Sequence, residues 1–150
     1  MRTYNEQIQL LFNTLGTHKL MVLSTSYNDN VTSRMMSVII DNNCFYFQTG
    51  NNSRKYEQLI KNPNISLCLD NIQIEGRCYE MGHPLSTPSF CRQYENHFQS
   101  AYDNYTRLEN ERLFKVVPSY IQTWIYEDGR PFIQSYDFTK GVYLKTEMEN

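Results

Sequence analysis

The feature that most constrains this chain's fold is a series of short apolar, β-branched and aromatic runs separated by Asn/Asp pairs. Leu20-Met21-Val22-Leu23-Ser24-Thr25 is followed by Tyr27-Asn28-Asp29-Asn30 and then by a second run over residues 31–40. Asp41-Asn42-Asn43 precedes Cys44-Phe45-Tyr46-Phe47-Gln48-Thr49. Asn and Asp tolerate the backbone conformations of tight hairpins, so runs broken in this way read as consecutive antiparallel strands. Two more runs, over 64–69 and 72–81, are split by Asp70-Asn71, which predicts about five strands by residue 81. Twelve Tyr and eight Phe suit strands and the rims of pockets.

Helical patterns interrupt the strands. Ile8, Leu11, Phe12 and Leu15 recur at i, i+3, i+4 and i+7, which predicts an opening amphipathic helix that Gly16 can end. Tyr56, Leu59 and Ile60 mark the face of a second helix, stopped by Asn62-Pro63. Thr87-Pro88 supplies an N-cap and a proline at the first helical position, ahead of Phe90, Cys91, Tyr94 and Phe98. A helical excursion over about 87–115 is expected there, with closing strands after it at 119–126, 132–136 and 142–144. No repeat or linker divides the chain. Its 150 residues predict one domain over 1–150, mainly β with flanking helices, whose core needs neither disulfide nor metal.

Several function classes lose support at this stage. The net charge is −2 and the basic residues are dispersed, so no nucleic-acid or anionic-membrane footprint is expected. No stretch of about 18 apolar residues and no apolar leader is visible, which predicts a cytoplasmic protein. Four cysteines are too few for a disulfide scaffold, and Cys44 and Cys68 read as reduced core residues. Cys78, His83, Cys91 and His97 are separated by four, seven and five residues, a spacing that matches no common zinc site, so no metal is expected. His18 reads as a surface or capping residue, with a role at a cofactor's edge as the alternative. Neither a Ser-His-Asp arrangement nor a Walker-type loop is present.

One constellation does carry chemistry. If the second and third runs form a hairpin closing about Asn42, paired residues have numbers summing to roughly 84. Arg34 then lies opposite Gly50, where the third strand releases into Asn51-Asn52-Ser53-Arg54-Lys55 and a helix begins. Three cations, a hydroxyl and the free N–H groups of a helix start converge there, which is how proteins build a site for a dianionic phosphate. The other reading makes Arg54 and Lys55 solvated first-turn residues and pairs Arg34 with a carboxylate such as Asp41 or Glu57. Cations at a helix N-terminus are unfavourable by about 0.3–1 kcal/mol, so two of them there ask for an anion.

The motifs Leu23-Ser24-Thr25, Ser33-Arg34-Met35-Met36, Phe45-Tyr46-Phe47-Gln48-Thr49, Ser53-Arg54-Lys55-Tyr56-Glu57-Gln58-Leu59 and Asn62-Pro63-Asn64-Ile65-Ser66-Leu67 follow one another in order. Over about residues 8–80 the chain resembles the pyridoxamine 5'-phosphate oxidase-like family of FMN-binding split barrels. The resemblance implies a six-stranded antiparallel split β-barrel and a homodimer with FMN between the subunits. It also implies that Arg34, Ser53, Arg54 and Lys55 bind the phosphate with help from Thr49. Met35, Met36 and Ser37 would line the isoalloxazine through backbone groups, and Gln48 would sit beside the ring. Trp124 either stacks near the flavin from the second subunit or packs in the barrel core or dimer contact.

Two departures separate the chain from the oxidases themselves. Ile39 stands where they usually carry a lysine, and their C-terminal arginine and histidine motif is not recognisable. The closer likeness is to the short general-stress-protein and nitroimidazole-resistance members. The expected function is an FMN-dependent oxidoreductase that transfers hydride between NADH or NADPH and a small molecule. The alternative is a flavin- or haem-holding module on the same barrel without turnover.

Overall fold

The turn chemistry decides the first hairpins. In a computed structural model that describes residues 1–149, Asn28 and Asp29 have φ of 50° and 63°, and Asn42 and Asn43 have φ of 48° and 61°. Two successive left-handed residues give the turn whose twist matches that of the flanking strands. They join β1 (His18–Tyr27) to β2 (Asn30–Asp41) and β2 to β3 (Cys44–Gly50). Helix α2 (Arg54–Lys61) leads to the hairpin β4 (Asn64–Leu69) and β5 (Ile72–Glu80), and a 17-residue strand, β6 (Glu111–Glu127), completes the ring. The strands lie in the order β3-β2-β1-β4-β5-β6, and β6 pairs back onto β3 from Gly50 with Glu111 to Phe45 with Val116. This is a closed six-stranded antiparallel barrel.

Closure falls to β6 alone, which corrects the expected layout. Strands β7 (Arg130–Asp137) and β8 (Val142–Glu147) extend the sheet from the far half of β6 instead of closing it. The helical excursion runs from Pro84 to Thr106 and includes α3 (Pro88–His97), so β6 begins eight residues before the strand expected at Ser119. Pro118 hides that strand in the sequence, because proline cannot serve a central ladder. A bulge accommodates it: Glu75 pairs with Tyr120 and Gly76 with Pro118, leaving Ser119 unpaired. A Cβ on Gly76 would sit 2.8 Å from the Val117 carbonyl oxygen, so the close approach requires glycine.

The β2–β3 ladder is also shorter than expected. It holds three pairs, Ile39 with Tyr46 through Asp41 with Cys44, before β3 leaves to follow β6. Arg34 therefore faces Leu23 on β1, and Gly50 faces Glu111 on β6. The predicted pairing of Arg34 with Gly50 fails because one strand cannot follow both neighbours around a small barrel, and the ring splits between β2 and β3.

Inside the barrel, Met21, Leu23, Val38, Phe45, Phe47, Leu67, Ile74, Phe114, Val116 and Ile121 form the core, which α1 (Tyr4–Leu15) joins through Ile8, Leu11 and Leu15. A second cluster on the outer face joins Ile39 and Leu113 to Phe90, Tyr94 and Tyr102 of the helical excursion. Two side-chain expectations change. On α2 the buried neighbour of Leu59 is Gln58, whereas Ile60 is 52 % exposed. Cys68 is exposed and Cys78 is buried, because Ile65 and Leu67 take the inward positions of β4. All four thiols are free.

Candidate functional site

Helix α2 starts where β3 ends. Ser53 caps it, its hydroxyl accepting from the Tyr56 N–H at 3.2 Å and lying 3.0 Å from the Thr49 hydroxyl. Arg54 and Lys55 occupy the first turn, against the helix dipole. Lys55 is half-buried, and burial pushes its ammonium pKa down. The charge of Arg34 adds to that fall, and Glu111 opposes it. Arg34 is pushed the same way, by burial first and Arg54 second. The three cations therefore share one rim of the barrel.

The packing of α2 fixes the position of Arg34. Gln58 Oε1 accepts from the hydroxyls of Thr25 (2.6 Å) and Thr32 (3.0 Å) and from Nη2 of Arg34 (3.0 Å). The guanidinium also donates to the Leu23 carbonyl (3.2 Å), Thr25 Oγ1 (2.9 Å) and Thr32 Oγ1 (2.8 Å). Four of its five N–H groups are thus engaged, and the Nε–H makes no hydrogen bond among the described residues. None of the three cations has a carboxylate within 4 Å among the described residues. Glu57, a suggested partner for Arg34, pairs instead with Lys61 at 2.8 Å.

Beside this rim, the outer face of β2, β3 and β6 lies under the helical excursion. Gln48 points there and is 6 % exposed; its Oε1 accepts from the Thr106 hydroxyl at 3.0 Å, while its Nε2 makes no well-formed hydrogen bond and has the Glu111 carboxyl beside it. Glu111 shares this face and is 5 % exposed; burial pushes its carboxyl pKa up, against the pull of Lys55. Burial also pushes the Tyr94 hydroxyl up to about 12, with Ser37 acting the other way. A buried amide N–H and a buried carboxyl therefore adjoin the cation rim.

The sequence matches the pyridoxamine 5'-phosphate oxidase family over residues 5–125. The chain belongs to this family. Solved structures agree on the fold. General stress protein 26 from Bacillus anthracis str. Sterne is 22 % identical with a TM-score of 0.60, covering 77 % of this chain and 89 % of its own. A pyridoxamine 5'-phosphate oxidase-related, FMN-binding protein from Nostoc punctiforme PCC 73102 is 11 % identical with a TM-score of 0.63, covering 98 % and 93 %. HutZ, the haem storage protein of Vibrio cholerae, is 13 % identical with a TM-score of 0.60, covering 78 % and 91 %. No curated protein matches the sequence significantly.

Within this family fold, the candidate residues separate into groups. Arg34, Thr49, Ser53, Arg54 and Lys55 gather at the α2 rim, with Gln48 on the adjoining outer face. Along β2, Met36 packs toward the core, Met35 is exposed on the opposite face, and Ser37 lies against Tyr94. Trp124 sits 13 residues along β6 from Glu111, about 40 Å of extended strand, where it packs edge-on to Tyr126. One chain does not bring it to the rim. A cleft of about 560 Å³ between the start of α1 and the β2–β3 turn lies apart from the rim, and one of about 390 Å³ shares only Thr25 with the residues that hold Arg34.

The remaining sequence candidates disperse. Cys78, His83, Cys91 and His97 form no metal-binding group among the described residues. His97 stacks on His18 instead, with ring centroids 3.7 Å apart. Sequence reasoning missed Gln58, Thr25, Thr32, Glu111 and Tyr94. The one available signal was Gln58, a long polar side chain next to Leu59 in the middle of an amphipathic helix. No helix among the described residues is long and apolar enough to cross a membrane.

Proposed function

We propose that this member of the family binds FMN and uses it as an oxidoreductase, passing hydride between NADH or NADPH and a small molecule. The observation that carries the reading is the convergence of Arg34, Arg54 and Lys55 at a helix start with no carboxylate within 4 Å among the described residues. Such a rim lowers its energy by taking a phosphate. The buried Nε2 of Gln48, which has the Glu111 carboxyl beside it but no well-formed hydrogen bond, fits a carbonyl acceptor of a ring laid beside it.

In this reading Lys55 and Arg54 would bind the phosphate, with Thr49 and Ser53 as hydroxyl partners. Arg34, held by Gln58, Thr25 and Thr32, would offer its Nε–H from a fixed position. Met35, Met36 and Ser37 would flank the ring, and the helical excursion would exclude water from one side. When bound, the flavin supplies the hydride chemistry. Pyridoxamine phosphate oxidation is not proposed, since Ile39 is buried against Phe90 and Tyr94 where the oxidases carry a lysine.

A homodimer belongs to the proposal. One face of the β1–β2 hairpin exposes Leu20, Val31 and Met35, and a second copy covering it would enclose the ring and could bring in its own Trp124. The purified protein should be yellow, with flavin absorbance bands, and should oxidise NADH or NADPH in the presence of an acceptor. A Soret band would replace FMN by haem in this reading. A flavin-loaded protein that oxidises neither nucleotide with any acceptor would reduce it to a carrier.

A further inference from the structure

The Thr106 hydroxyl belongs to the helical excursion, not to the barrel. It closes a π-helical turn, Tyr102–Thr106. Such turns are rare and occur frequently at functional sites. Tyr102 anchors this one in the outer cluster with Ile39, Phe90, Tyr94 and Leu113, while Asp103, Asn104 and Tyr105 are exposed. Thr106 itself is wholly buried. A threonine hydroxyl within a helix can bond back to a carbonyl one turn earlier. This one instead reaches Gln48 Oε1 on β3, 58 residues away in sequence, at 3.0 Å.

An amide has one accepting end and one donating end, and a hydroxyl can serve either. Here the hydroxyl donates to Oε1, and Nε2 lies beside the carboxyl of Glu111, which opens β6 opposite Gly50. Nε2 carries two N–H groups, so a contact with Glu111 leaves at least one donor over. It is the only buried side-chain polar atom among the described residues without a well-formed hydrogen bond. A buried donor in that state asks for an acceptor. The direction in which it is offered depends on the hydroxyl that holds the other end of the amide.

We propose, resting on the reading that FMN binds here, that Thr106 is a positioning residue: it holds the Gln48 amide with Nε2 turned toward an acceptor of the isoalloxazine, and so raises the reduction potential of the flavin. Reduction adds electron density to the nitrogens and carbonyl oxygens of the ring, so a donor N–H held there favours the reduced form. An amide released from Thr106 can turn over and present Oε1, which disfavours the added density. The helical excursion would then tune the ring as well as exclude water from it, and the α2 rim at the phosphate end would be untouched.

The test is the midpoint potential of the flavin-loaded full chain, measured by equilibration with a reference dye. Thr106→Val nearly keeps the side-chain shape and removes the hydroxyl. The preference for reduced over oxidised FMN should fall about tenfold, the worth of one hydrogen bond, which is a drop of about 30 mV for a two-electron couple. The visible flavin bands should shift with it, and riboflavin should show the same drop as FMN. Thr106→Ser, which keeps the hydroxyl and loses the methyl, should retain the potential of the unaltered protein. Gln48→Met should lower the potential too, and adding Thr106→Val to it should change nothing further. An unchanged potential in Thr106→Val, an equal drop in Thr106→Ser, or an undiminished drop in the Gln48→Met background overturns this inference alone. A chain that binds no FMN overturns the proposed function as well. Should Thr106→Val fail to fold, Thr106→Ala against Thr106→Ser makes the same comparison of hydroxyl absent with hydroxyl present.

Discussion

Helices α1 and α2 close opposite ends of the same barrel with opposite chemistry. Helix α1 offers Ile8, Leu11 and Leu15 to the core and sets Phe12 against Phe45 and Phe138, with ring centroids 5.8 and 6.5 Å apart. Helix α2 buries Leu59 too, but beside it lies Gln58, tied to Thr25, Thr32 and Arg34. The apolar closure serves stability and is indifferent to direction. The polar closure fixes a guanidinium in space and leaves two more cations without close counter-ions at the helix start. A buried polar network is tolerable only when its members are satisfied, so four acceptors converge on Arg34.

The sharpest way to break this contrast is Leu15→Ala. Removing a fully buried side chain should cost about 2–5 kcal/mol in urea denaturation. The folded fraction should bind FMN as before; lost affinity in folded protein would mean that the two ends are coupled.

Lys55→Ala should have the next largest effect, on the ligand only. Losing a charge-assisted bond to phosphate should weaken FMN by about 1.5–3 kcal/mol and leave riboflavin nearly unchanged. Stability should change little, because Arg34 loses a like charge beside it while the buried Glu111 loses a supporting one. Equal losses for FMN and riboflavin would assign Lys55 to the fold. The pH dependence carries the same sign: the Lys55 ammonium titrates below the ordinary lysine range, so the preference for FMN over riboflavin should fade as pH rises through that point.

The two N-caps give the smallest and most direct comparison. Thr3→Ala and Ser53→Ala should each cost about 1 kcal/mol in thermal unfolding. FMN affinity should move with Ser53 alone. If both variants, or neither, alter binding, the hydroxyl of Ser53 has no role beyond its helix.

Much of this was legible in the sequence, and the misses share a cause. Asn28-Asp29 and Asn42-Asn43 announced their hairpins because left-handed φ is a local property. The spacing of Ile8, Leu11 and Leu15 announced α1, and Ser53-Arg54-Lys55 announced a helix start carrying the wrong charges. Pro118 concealed the first half of β6, because the bulge that accommodates it is made with Gly76 on another strand. Ile60 was read as buried and Gln58 passed over, since hydrophobicity alone does not reveal that Arg34 would need an acceptor.

By itself the sequence determined the antiparallel order of the early strands, the helix starts and the presence of Arg54 and Lys55 in the first turn of α2. These depend on turn chemistry, periodicity and capping, which act within a few residues. Tertiary structure alone decided that β3 follows β6 and splits from β2, that Arg34 is held from α2 rather than across from Gly50, and that Glu111 stands in the same wall. Such placements follow from barrel closure, where each strand satisfies two neighbours at once, and no local pattern encodes that choice.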